Sequence, residues 1–242
     1  MRIVLAFIAI LVTSLGFAQA ASRVDEIAVP AGYKAVEYPA EGYSYWLTRR
    51  TLKNSLEIVD HAGRQIPAGS YSVYAVLDLP LLFTGDLEQC ADYAMRLWAE
   101  YHKDTNRLNK LYLFDYNGRR QNYSTSRLSY RNFLRRAFAN SNSYSLKKGC
   151  AVVDTSALAP GDMVVQNEQG GVGHVSVVMN VCRNSAGQKL YLLGFSYMPA
   201  QEFHIEKALN GYGKDGWFIV EGYFRYLKDY MDLGTPVLRR FK

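Results

Sequence analysis

The sequence predicts an α+β fold in which a helix bearing a cysteine packs on a small antiparallel sheet. Three observations predict it. First, Gly85 to His102 (GDLEQCADYAMRLWAEYH) sets Leu87, Cys90, Ala91, Ala94, Leu97, Trp98 and Tyr101 on one stripe at helical spacing. Second, from Cys150 onward the chain changes to short β-branched and aromatic runs divided by turn residues. Third, His174 to Val181 alternates cleanly: Val175, Val177, Met179 and Val181 point one way, His174, Ser176, Val178 and Asn180 the other. With 49% hydrophobic residues and 19 Tyr, the chain can bury a core and is not compositionally disordered.

In chain order, residues 1–20 read as a signal peptide: Arg2, an apolar run from Ile3 to Val12, and the cleavage pattern Ala18-Gln19-Ala20. Export to the periplasm or the outside is therefore expected, with no membrane span in the mature chain. Residues 21–45, rich in Pro, Gly, Ala and Tyr, read as an extended arm, and residues 46–242 as a single α+β domain. Tyr43 to Leu52 suits a short helix, Leu56 to Asp60 a short strand, and Tyr71 to Leu79 a stronger one. In the Cys90 helix, Asp86 is the expected N-cap and Gln89 its capping-box partner. Asn117-Gly118 marks a hairpin between LYLFDY and RRQNYS. Residues 127–139 suggest a second helix. Its Arg127, Arg131 and Arg135 recur every four residues, which reads first as a solvated face and second as an anionic-ligand site. Strands are expected at Cys150–Asp154, Met163–Gln166, His174–Val181, Lys189–Ser196 and, within a mixed tail, Trp217–Tyr223.

Several chemistries find no support in the motifs. The four histidines show no HExxH or HxH spacing and there is no CxxC, so neither a metal nor another cofactor is expected. Phosphate-loop, dinucleotide-binding and GxSxG signatures are missing, and no nucleic-acid motif accompanies the net charge of +6. That modest basicity suits an anionic envelope surface. Three cysteines leave two arrangements open: a Cys150–Cys182 bridge with Cys90 free, or three buried thiols.

What remains is a thiol and an imidazole. A cysteine near a helix start can be a small apolar filler or a nucleophile activated by the positive end of the helix. His174 opens a strand on its more polar face, just after Gly170, Gly171 and Gly173. Thiol hydrolysis needs a thiolate, a base and a group orienting that base. Ser196 or Gln201 could orient His174, with His204 a weaker candidate. The Cys90 N–H and the Gln89 amide could hold an oxyanion.

These residues carry a resemblance. LAPGDMVVQ followed by GGVGHVSVVMNV resembles the PGD and GHV strand pair of NlpC-like cell-wall cysteine peptidases of the papain superfamily. DLEQCADYAMRLWAEY, GDMVVQ…GHVSVV and FSYMPAQEFHI together resemble an uncharacterised exported bacterial family carrying a domain of unknown function. The resemblance implies a papain-like fold and a thiol hydrolase or acyl-transfer activity on peptide or amide bonds, with peptidoglycan or another envelope peptide as partner. Gln89 replaces the Asp that usually precedes the peptidase cysteine. An inactive envelope binding protein with the same fold is the alternative.

Overall fold

A computed structural model describes residues 21–242; the expected signal peptide at residues 1–20 lies outside the described residues. The chain runs β1 (Tyr33–Ala35), α1 (Tyr43–Thr48), β2 (Val73–Val76), α2 (Cys90–Asp104), β3 (Tyr112–Phe114), β4 (Arg120–Asn122), α3 (Tyr123–Ser126), α4 (Tyr130–Asn140) and α5 (Ser143–Gly149). It continues through β5 (Ala151–Val152), β6 (Met163–Gln166), β7 (His174–Asn184), β8 (Lys189–Phe195), β9 (His204–Glu206), β10 (Gly213–Lys214), β11 (Trp217–Phe218), α6 (Val220–Tyr230) and β12 (Val237–Arg240).

The main sheet is antiparallel, with the order β10-β11-β8-β7-β6-β12-β5; β1 adds to β7, and β9 joins β8 to β2. The alternation of β7 decides what each face buries as far as Met179; a register shift between Val178 and Asn180 then turns Val181 to the side of Val178, not to that of Val175 as the strict alternation predicts. Val175, Val177 and Met179 enter a core with Ala91, Ala94, Met95 and Leu97 of α2. Val178 joins Leu193, Phe195, Tyr223 and Leu227 in a second core beneath α6. The sheet is thus sandwiched between α2 and α6, and β7 is buried on both faces. Among the described residues no helix is long and apolar enough to cross a membrane.

Several expectations change here. Trp217–Tyr223 yields only a two-residue strand before α6 begins at Val220. The strand expected over Leu56 to Asp60 reduces to two isolated bridges, Val59 with Gln65 and Asp60 with Gln201. Arg127 falls outside α4: it ends α3 in the left-handed conformation, φ 56°, so only Arg131 and Arg135 share a helical row. The 21–45 arm is built into the molecule, with β1 on β7 and Val24 and Ile27 in the core. Of the two cysteine arrangements the sequence leaves open, the structure has the second: Cys90, Cys150 and Cys182 are all buried free thiols, and no Cys150–Cys182 bridge is formed.

Candidate active site

Helix α2 begins at Cys90 itself, one turn later than the sequence suggests. Gln89 is the N-cap, and the Asp92 carboxylate accepts the Gln89 N–H at 3.1 Å to close a capping box. Asp86, the expected cap, instead accepts from the Gln89 side chain at 2.9 Å and from the Ala200 N–H at 2.7 Å. It thereby ties the helix start to the SYMPAQ segment. A buried ion pair between Glu88 and Arg96 anchors the same turn from the other side, with the Leu82 N–H donating to Glu88 at 2.7 Å. The first intrahelical donor is Tyr93, to the Gln89 carbonyl. The N–H groups of Cys90 and Ala91 therefore have no intrahelical acceptor and sit at the positive end of the helix.

The Cys90 side chain is 7% exposed. Its sulfur faces the Gly173 carbonyl at 3.9 Å, with the Val175 N–H also directed toward it. It lies against the backbone that carries His174. Tyr71 and Tyr197 stand close enough for charge on the sulfur to bear on their phenols. Burial pushes the thiol up to about 12, against the smaller stabilising effect of the Val175 N–H. Cys90 also lines a groove of ≈ 420 Å³. One wall is Gly170 to Gly173, the other Phe138 to Ser143, and Met198 stands at the rim. The glycine wall is latched: Asn167 accepts the Gly170 N–H at 2.7 Å and donates to the Gly171 carbonyl at 2.9 Å, and Asn142 donates to the Gly170 carbonyl at 3.2 Å. A Cβ at Gly173 would collide with the Gln166 carbonyl and the Ser143 hydroxyl. Only glycine permits that approach.

His174 is fully buried on the α6 face of the sheet, edge-on to Phe195 at 4.9 Å between ring centroids. Its Nε2 pairs with Ser176 Oγ at 2.9 Å, and Tyr223 of α6 donates to that hydroxyl at 2.5 Å. With Nε2–H donating to Ser176, the serine oxygen accepts from both His174 and Tyr223, and the Nδ1 lone pair is left free to take a proton. Nδ1 has no partner. Burial, with His204 adding to it, drives the imidazole down to about 3. The Cys90 sulfur touches the backbone on either side of His174, at Gly173 and Val175, but no hydrogen bond joins it to the ring. Gln201 and Ser196 do not reach His174 either. Gln201 donates to Tyr71 OH at 2.9 Å, and Ser196 donates to the Gln201 carbonyl at 2.7 Å. The Gln89 amide is turned to Asp86. His204 pairs through Nε2 with Glu206 at 3.1 Å, and Tyr226 OH donates to the other Glu206 oxygen at 3.1 Å. Among the described residues no three His, Cys, Asp or Glu side chains converge as metal ligands.

A family model matches residues 24–126 and 115–229. The chain belongs to the family described as Domain of unknown function (4846). No curated protein and no solved structure matches it. The match to family 4846 spans α2, the glycine wall, His174 and the SYMPAQ segment, so the whole groove belongs to the family's domain.

Sequence reasoning missed the residues that hold this site in place. Ser176 lies two positions from His174 on the same strand face, a signal available from alternation alone. Glu206 stands in the same relation to His204. Tyr223 and Tyr226 could be placed only once α6 was known to cover that face. Asn142 and Asn167 are far from each other in sequence, and nothing local marks them as latches of the glycine wall.

Proposed function

We propose that this member of family 4846 is an exported thiol hydrolase or acyl-transfer enzyme of papain-like arrangement, acting on peptide or amide bonds of the cell wall. One observation carries the reading. The Cys90 sulfur, at the first residue of α2 in an open groove, lies against the backbone of His174, whose Nε2 is held while Nδ1 is left without a partner. In the proposed reaction His174 takes the thiol proton, the sulfur attacks the scissile carbonyl, and the oxyanion faces the N–H groups at the helix start. His174 then returns the proton to the leaving amine. Water, or an acceptor amine, releases the acyl group from Cys90. Ser176 replaces Ser196 and Gln201 as the residue that orients the imidazole, with Tyr223 behind it. Ligand entry must bring ring and sulfur together, since in the unliganded protein no hydrogen bond joins them and both groups are neutral.

That neutrality favours a second reading, an envelope binding protein that retains the groove without turnover. Purified wall material incubated with wild type, Cys90→Ala and His174→Ala separates the two. Release of new amines by wild type, reduced at least about a thousandfold in both variants, is the expected result. Equal release by wild type and Cys90→Ala would sink the enzyme reading. Wall binding without release by any of the three proteins would establish the second.

A further inference from the structure

Between residues 103 and 136 the chain carries nine Lys or Arg against two Asp, in a protein whose whole net charge is +6. Two of the nine hold an ion pair, Lys103 with Glu100 and Arg107 with Glu41. Arg131 and Arg135 are exposed, and among the described residues neither faces a carboxylate. Both guanidinium groups lie over the ring of Phe83, at 4.9 and 4.7 Å from its centroid. Phe83 is itself buried edge-on against Phe138. Like charges four residues apart on a helix repel, so this arrangement is not one that helix stability selects. It does hold two planar donor forks side by side with much of their rotational freedom already spent.

The row continues into the groove. Arg131, Arg135 and Ala139 recur every four residues along α4, and Phe138 and Ala139 line the wall opposite the glycine segment. Arg135 and Arg131 therefore stand about 6 Å and about 12 Å along the helix axis from the groove wall. The groove's own carboxylates do not oppose an anion strongly. Asp86 is occupied by Gln89 and Ala200, and Asp92 is buried under the capping turn.

We infer that Arg131 and Arg135 form an anion subsite that extends the Cys90 groove and receives a carboxylate of an extended ligand lying along α4. The inference rests on reading the groove as a ligand site and names the ligand class: an extended peptide bearing an acidic group about two to four residues beyond the one seated at Cys90. Arginine forks, not lysine charge alone, set the preference. The other exposed cations of the segment supply a general field.

Fluorescence anisotropy of a labelled pentaglutamate peptide at low salt tests it. The readout is binding by the protein with Cys90 intact, with no turnover measured, so the outcome does not depend on whether Cys90 is a nucleophile. Arg131→Gln/Arg135→Gln should bind at least about tenfold more weakly than wild type, and Arg131→Lys/Arg135→Lys should fall between the two. Arg119→Gln/Arg120→Gln, on the β3–β4 hairpin, should change affinity less than about twofold. Ala139→Trp, at an exposed position between row and groove, should match the loss of the Arg131/Arg135 double variant. Thermal unfolding of each variant controls for folding. Equal losses on the hairpin and on α4 would reduce the site to general surface charge and overturn the inference. So would failure of wild type to bind, or binding that Ala139→Trp leaves intact.

Discussion

His174 shows burial deciding a charge state. Its ring is enclosed by Phe195, Tyr197 and the Ser176–Tyr223 pair, with no carboxylate to offset the loss of water. The imidazole is driven down to about 3, first by burial and then by His204. An unfolded chain binds that proton near pH 6.5. Between pH 6.5 and 3 the unfolded state therefore holds a proton that the native state lacks, and native stability is lost as pH falls. His174 alone can contribute up to about 1.4 kcal/mol per pH unit in that window. His174→Gln keeps a hydrogen-bonding partner for Ser176 but cannot titrate, so its stability should fall less steeply from pH 6.5 to 4.5. Urea midpoints at a series of pH values measure the slope. Identical slopes for wild type and variant would mean that His174 is not the buried neutral group. Cys90 obeys the same rule with opposite sign. Burial lifts its thiol to about 12, so the resting protein should alkylate with iodoacetamide more slowly at pH 8 than a free thiol, and the rate should still be rising at pH 10. A rate plateau near the free value of about 8.5 would contradict that.

At the scale of elements, legibility followed the strength of the local pattern. Helix α2 and strands β6, β7 and β8 were readable because each carries an apolar face at the proper period, broken in β7 only by the register shift before Asn180, which the sequence pattern does not show. The start of α2 was misplaced because Asp86 is the better intrinsic cap. Tertiary partners at Ala200 and Gln89 claim its carboxylate, and the cap passes to Gln89. Helix α6 was missed because VEGYFRYLKDY opens on a β-branched residue and carries four aromatics and a glycine. Its apolar positions, Val220, Tyr223, Tyr226 and Leu227, nevertheless keep helical spacing. The candidate nucleophile and base were legible as residue types. The groove walls and the ring-orienting serine were not, because they depend on which strands become neighbours. The ion pair at the base of α2 was invisible for the same reason. Burial raises the Glu88 carboxyl while Arg96 pulls it back down. Glu88→Gln should leave Arg96 buried without a full counter-charge and cost about 3–5 kcal/mol, whereas Glu88→Gln/Arg96→Met should recover much of that loss. Chemical denaturation of the single and double variants measures it. A single-variant cost below about 1 kcal/mol would show that water reaches the pair.

For the whole molecule, α6 supports the two histidine strands from one side. Tyr223 and Tyr226, three residues apart and stacked at 5.6 Å, lower their hydroxyls onto Ser176 and Glu206. Each of those residues lies two positions beyond a histidine and holds its Nε2. The register explains the repetition: Phe195 of β8 pairs with His204 of β9, and Leu193 pairs with Glu206, so the row crosses the sheet on one face. The two imidazoles are thus oriented by one device used twice, and α6 links it to the sheet core. Glu206 is the demanding member, a buried carboxylate whose oxygens rely on His204, Tyr226 and the Ser72 N–H. Tyr226→Phe removes one of these donors without changing the packing volume and should cost about 1–3 kcal/mol. Glu206→Gln lowers the charge to be satisfied, so the double variant should cost less than the two single losses added together. A thermodynamic cycle on unfolding free energies gives that coupling. Strict additivity would mean that the tyrosine acts by packing alone, and α6 would then be a cover for the sheet rather than the support of its histidines.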